Sequence, residues 1–364
     1  MIPIRTATDI GQERSTGGRF WSKLLISVLV GGLLAWLATR GGVPLMPGPE
    51  HFFCVQWWVV PAYFAVYALT HFLRATRWRF LIAPVKRIEM REVIALNWVG
   101  FFAIFAFPLR IGELARPALT KARQGVSISA GLGAVAVERV LDGIITSACV
   151  VWALFALPRL EPTDQITAML PTYGYLSLAI FTSAFIVLGM FLWQRELAVR
   201  VSKKLLGAFS PRLGAFVSSR VDNVADGLRS VGDARLAAGF LLESLAYWGL
   251  NAAGLWMLGV GCGLPMHPGH GVAVLGVLAI GIMLPTGPGL FGNFQLAISA
   301  ALKPYLAEAV VGTQGAVYVF IAYTTQFLII TLAGIIPLYR MNLRLVDLLR
   351  LSQDGRSAEN LALR

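Results

Sequence analysis

The sequence predicts an all-α polytopic membrane protein, and three observations carry that prediction. Of 364 residues, 57% are hydrophobic and only 14% charged, where a soluble domain carries about 25% charged residues. The apolar residues gather into segments near 21–39, 52–73, 92–109, 126–157, 171–193, 236–262, 271–302 and 314–338, most of them near the roughly 20 residues a spanning helix needs. The basic residues cluster between those segments and on one side of them. A net charge of +12 would otherwise suggest nucleic acid; this distribution points to a membrane and excludes that partner.

Charge sets the orientation. Arg5, Arg14, Arg19 and Lys23 precede the first segment, and Arg74, Arg77, Arg79, Lys86, Arg87 and Arg91 follow the second. Further basic runs follow the third segment, fill 195–235 and close the chain at Arg340, Arg344 and Arg350. All fall on one side if 92–109 enters the membrane and returns, leaving little more than Arg40, Arg159 and Lys303 opposite. The basic side is then cytoplasmic, with both termini inside an inner membrane.

Two segments do not read as continuous helices. The one at 92–109 is short, holds Asn97 and ends at Pro108; the one at 271–302 is broken by Pro285-Thr-Gly-Pro-Gly289 and Gly292. The reading is about six full spans plus two oppositely directed broken or re-entrant helical hairpins, the signature of an inverted repeat. Eight kinked spans are the alternative, which the charge bias disfavours.

Residues 1–20 form a polar cytoplasmic segment, and the apolar run after them reads as a retained span. Residues 21–340 form the membrane domain. Within it, 196–233 repeats Leu213, Phe216, Val217, Val221, Val224, Leu228 and Val231 at helical spacing. This amphipathic helix lies on the cytoplasmic membrane surface or packs on the protein's own loops. Residues 341–364 are a cytoplasmic tail. Cys54, Cys149 and Cys262 show no metal or disulfide spacing and read as small core residues. His267-Pro-Gly-His270 reads as an exterior loop.

Charges within apolar sequence point to a site, because a charge at the bilayer centre costs about 2.5–3.5 kcal/mol on insertion scales and so faces protein or a hydrated cavity. Arg110, Glu113 and Arg116 are spaced by three, within mutual reach on a helix. They read as an anionic-headgroup site or as an interfacial ion cluster. Glu138 and Asp142 share a helix face. Arg139 can pair with Asp142, so Glu138 should find Arg110, Arg116 or a basic residue from 74–79, or else carry a proton. Arg74 and Arg77 read as a cytoplasmic anchor or as captors of lipid phosphate. Pro288, Gly289 and Gly292 unwind the second broken segment, and Asn293 and Gln295 add polar groups to a pathway. No nucleotide-binding, catalytic or metal motif appears, so no enzyme activity, cofactor or metal is expected.

The string Asn97…Pro108-x-Arg110-x-Gly112-Glu113-x-x-Arg116, then Glu138-Arg139-x-x-Asp142, then the broken segment at 285–292, resembles the flippase-like transmembrane domain of lysylphosphatidylglycerol synthetases, which also occurs as stand-alone proteins. The resemblance runs from about residue 20 to 340. It implies movement of lipids, notably aminoacylated phosphatidylglycerol, between leaflets, and in some relatives an association with lipid- or glycolipid-synthesis enzymes. The soluble aminoacyl-transfer domain is absent from these residues, so lysyl-lipid synthesis is not expected. Gln295 stands where relatives carry glutamate, which questions a cationic headgroup.

The functional expectation is a translocator of a phosphate-bearing lipid: an anionic or aminoacylated phospholipid, or a polyprenyl-phosphate glycolipid. A non-transporting scaffold for a lipid or glycan synthase is the other class. Gly131, Gly133, Gly254, Gly259 and Gly261 leave packing within one chain or within a homo-oligomer open.

Overall fold

The computed structural model describes residues 46–107, 112–161, 165–193, 233–283 and 288–343, together with Leu29, Gly32 and Leu348. The segment 1–20, the amphipathic stretch 196–232 and the tail beyond Leu343, apart from Leu348, lie outside the described residues.

The described residues are helical, without a strand. A short 3₁₀ turn, Pro49–Cys54, leads to α1 (Val59–Thr76) and α2 (Trp78–Ile82), which meet at Arg77. Then come α3 (Met90–Ala106), α4 (Ala115–Gln124), α5 (Ile128–Ala156) and α6 (Gln165–Trp193). The second half holds α7 (Ala234–Gly261), α8 (Pro268–Gly281), α9 (Asn293–Leu302), α10 (Glu308–Gly312) and α11 (Gln314–Arg340).

Local chemistry places the ends. Phe107 takes extended backbone ahead of Pro108 and ends α3. Gly125, at φ 70°, closes α4 in the left-handed conformation. Ser127 caps α5 by accepting from the Ala130 N–H, and Asp233 caps α7 by accepting from the N–H groups of Arg235 and Leu236.

In each broken segment two short helices pack against each other. The chain turns after α3 and returns as α4: a Cβ on Gly112 would lie 2.1 Å from the Ala103 carbonyl carbon, and Arg123 reaches back to Glu92. The chain turns again after α8 and returns as α9. Asn293 donates to the Gly281 carbonyl, and His270 packs on Tyr305 at the open end. At 17, 10, 14 and 10 residues, the four arms are about 15–26 Å long, short of a hydrocarbon core of about 30 Å. The tips meet: Gly289 lies against Phe105, and Leu290 packs with Tyr67, Phe105, Ile329 and Ile330.

Among the described residues, three helices are long and apolar enough to cross a membrane: Ile128–Ala156, Ala168–Ile186 and Gln314–Arg340. The expected six spans are not all of that kind. Helix α1 carries His71 and Arg74, and α7 carries Arg235 and Glu243, so both are more polar. The largest apolar cluster joins α1, α7, α8, α9 and α11. A second joins α3, α4 and α11. Gly131, Gly254, Gly259 and Gly261 each meet neighbours within this chain.

Candidate functional site

The motif charges assemble into one buried network between α1, α2, α3, α4, α5 and α7. Arg77 grips Asp142 with both terminal nitrogens, each 2.6 Å from a carboxylate oxygen. This fork-on-fork geometry is the strong form of an ion pair. The same guanidinium donates to Ser244 at 3.0 Å and to Glu138 at 3.3 Å. Trp248 adds its indole N–H to Asp142 at 2.9 Å.

Glu138 sits among three arginines. Its Oε2 is 2.7 Å from Arg116, and its Oε1 is 2.9 Å from Arg139 and 3.3 Å from Arg77. Arg116 also donates to Asn97 at 2.9 Å, and Asn97 donates to the Val93 carbonyl. Arg77, Glu138 and Asn97 are fully buried, and Arg116 is 2% exposed. Rings complete the enclosure: Arg77 lies over Phe240 and Tyr247, and Arg116 over Trp78 and Phe101.

Such a network fixes helices. Each charge is paired within the set, although the Arg77 Nε is buried without a hydrogen-bond partner, and removing one member leaves an uncompensated charge. The expectation that Glu138 finds a partner from Arg116 or 74–79 describes this geometry. The expected Arg139–Asp142 pair is replaced: Arg77 occupies Asp142, and Arg139 turns to Glu138. Arg77 comes from a helix 65 residues away in sequence, so helical spacing could not reveal it.

Two adjoining cavities open beside the network. The first, about 80 Å³, is lined by Arg74, Arg139, Asp142, Tyr247, Asn251 and Gln326, among others. The second, about 60 Å³, has walls that include Phe101, Phe105, Leu290, Phe327 and Ile330. Tyr67, Arg74, Ile282 and Gln326 line both. By this measure a water needs about 10–15 Å³, so each holds several. The first cavity has a mixed polar and apolar lining, the second is largely aromatic and aliphatic, and Arg74 stands at the seam with its guanidinium 4.1 Å over Phe101.

The predicted site residues therefore divide. Asn97, Arg77, Arg116, Glu138 and Asp142 lock the helices. Asp142 also faces the first cavity, as do Arg74 and Arg139. Glu113 lies within electrostatic reach of Arg139. Arg110 lies outside the described residues. Asn293 and Gln295 are buried and brace the second hairpin, Gln295 by accepting from the Gly292 N–H at 2.8 Å. Pro288, Gly289 and Gly292 shape the turn, with Gly289 and Gly292 at φ 74° and 85°. None of these five lines a cavity; their neighbour Leu290 does.

Sequence reading missed Tyr67, Tyr247, Asn251 and Gln326. Asn251 and Gln326 carry a usable signal, each being an amide in a largely apolar stretch in mid-helix. Among the described residues, no group of three or more His, Cys, Asp or Glu side chains is placed to hold a metal ion.

Residues 21–334 match the family described as "Lysylphosphatidylglycerol synthase TM region". A stretch of 267 residues is 26% identical to "Glycosyltransferase AglD" of Haloferax volcanii, covering 62% of this chain and 42% of that protein. The chain therefore matches less than half the length of that relative. No solved structure matches. The family match spans most of the chain and includes the buried network and both hairpins, so this protein belongs to the lysylphosphatidylglycerol synthase transmembrane-region family.

Proposed function

We propose that this protein is an integral membrane translocator that moves a phosphate-bearing lipid between the leaflets of an inner membrane, with both termini cytoplasmic and no catalytic centre of its own. The observation that carries this reading is the meeting of two short helical hairpins beside a mixed-lined and a largely apolar cavity that share Arg74. Non-helical backbone at membrane depth is tolerated where it is buried or lines a hydrated cavity. Oppositely directed broken helices meeting near the midplane are a recurrent transporter arrangement. In this reading the hairpins enter from opposite faces, the headgroup crosses between them, and the acyl tails remain in the bilayer.

The test is leaflet exchange in proteoliposomes with headgroup-labelled anionic, aminoacylated and polyprenyl-phosphate lipids. The expected result is faster exchange of one class than in protein-free vesicles. Equal rates for every class, with and without a proton gradient, would overturn the translocator.

A second reading makes the domain a scaffold for a lipid or glycan synthase. One observation favours it: the relative bearing the glycosyltransferase name is more than twice as long as the stretch it shares with this chain. It predicts no exchange activity, and loss of the synthase's product when the partner-facing surface is altered.

A further inference from the structure

Arg77, Arg116 and Arg139 surround Glu138 and Asp142, and Glu113 lies within electrostatic reach of Arg139. Arg74 adds a fourth cation. Among the described residues it has no carboxylate within 4.0 Å, its Nε is buried without a hydrogen-bond partner, and its guanidinium lies 4.1 Å over the Phe101 ring. A half-buried cation on a cavity wall with no carboxylate beside it suits an anion. Asn251 and Gln326 place side-chain amides, whose N–H groups can donate to an anion, on the same wall.

The reverse charge finds nothing there. Asp142 is the one carboxylate among the described residues lining either cavity. Its Oδ1 accepts from Arg77 and Trp248, and its Oδ2 accepts from Arg77. It is occupied and neutralised. The turn sequences 108–111 and 284–287, Pro-Leu-Arg-Ile and Leu-Pro-Thr-Gly, contain no carboxylate. An ammonium group entering this space would meet two arginines and, among the described lining residues, no free carboxylate.

We propose that the paired cavities select a phosphate headgroup carrying no ammonium group, with Arg74 as its principal contact and Arg139 as the second. The aromatic side takes the apolar portion nearest the phosphate. This rests on the reading that the cavities are the lipid site, and it narrows that reading by charge.

The test is binding to the full chain in detergent, read by native mass spectrometry with three short-chain probes: dioctanoyl phosphatidate, dioctanoyl phosphatidylglycerol and its lysyl ester. The two anionic probes are expected to bind at least about tenfold more tightly than the lysyl ester. Arg74→Ala is expected to weaken them roughly 10- to 100-fold, the range of a charge-assisted hydrogen bond, with Arg74→Lys recovering part of the loss. Gln326→Glu, which adds a carboxylate to both cavities, is expected to shift the preference toward the lysyl ester.

Equal or tighter binding of the lysyl ester by wild type, or unchanged anionic binding by Arg74→Ala, would overturn the proposal. Ala279→Phe, on the wall of the first cavity, separates the two failures. If it leaves all binding intact, or wild type binds no probe, the lipid-site reading falls as well. If it abolishes binding and Arg74→Ala changes nothing, only the charge selection falls. Gln326→Glu keeps the test decisive should Ala279→Phe not fold.

Discussion

The two hairpins solve the same geometric problem with opposite chemistry. Between Met90 and Gln124 the first carries Arg91, Glu92, Arg110, Glu113, Arg116, Lys121 and Arg123; between Pro268 and Leu302 the second carries no Asp, Glu, Lys or Arg. The first is tied to α5 through Arg116 and Glu138, and to itself through Asn97. The second is held by neutral bonds: Asn293 to the Gly281 carbonyl, the Gly292 N–H to Gln295, and the Tyr323 hydroxyl to the Gly289 carbonyl at 3.0 Å. A buried ion network is costly to break because separation strands a charge. A neutral hydrogen bond contributes only about 0.5–1.5 kcal/mol net. The comparison predicts that the charged hairpin resists separation more than the neutral one, whose polar bonds are weaker.

The largest effect should come from the centre of the ion network. Glu138→Ala leaves Arg77, Arg116 and Arg139 facing one another, and a loss of about 3–5 kcal/mol is expected. Denaturation in detergent micelles measures it, and a loss below about 1 kcal/mol would show that the network does not hold the helices together. Gly112→Ala comes next. The added methyl would lie on the Ala103 backbone and push α4 off α3, at about 1–3 kcal/mol by the same measurement.

Tyr323→Phe should cost only about 0.5–1.5 kcal/mol. Its sharper readout is hydrogen exchange. The turn at 288–292 is expected to exchange faster in the variant, and in wild type already faster than the helix starting at Ala115. Equal protection of both hairpins would erase the contrast. The smallest change is Arg123→Ala. Its 3.3 Å pair with Glu92 is about one-third exposed at both ends, so the loss should stay within about 1 kcal/mol.

The relation between sequence and site is clearest in Arg74 and Arg77. They stand three residues apart on one basic stretch and carry the same sequence signal. The structure gives them opposite roles. Arg77, at the junction of α1 and α2, enters the space between α5 and α7 and is locked by Asp142. Arg74, one turn earlier, meets Phe101 and the cavities. Gln295 shows the same limit. Its position after the Gly-rich break marks it as a pathway residue, yet it folds back as a helix-capping acceptor for the Gly292 N–H.

By itself the sequence determined the all-helical class, the positions of both breaks and the requirement that Glu138 find a cation or carry a proton. These are consequences of local hydropathy, of proline and glycine backbone limits, and of the cost of burying a charge. The tertiary structure alone decided which arginine meets which carboxylate, and which cation is left over to face a cavity. That choice depends on what stands opposite each side chain on another helix, as far as 65 residues away for Arg77 and Asp142, and helical periodicity carries no information about the opposing surface.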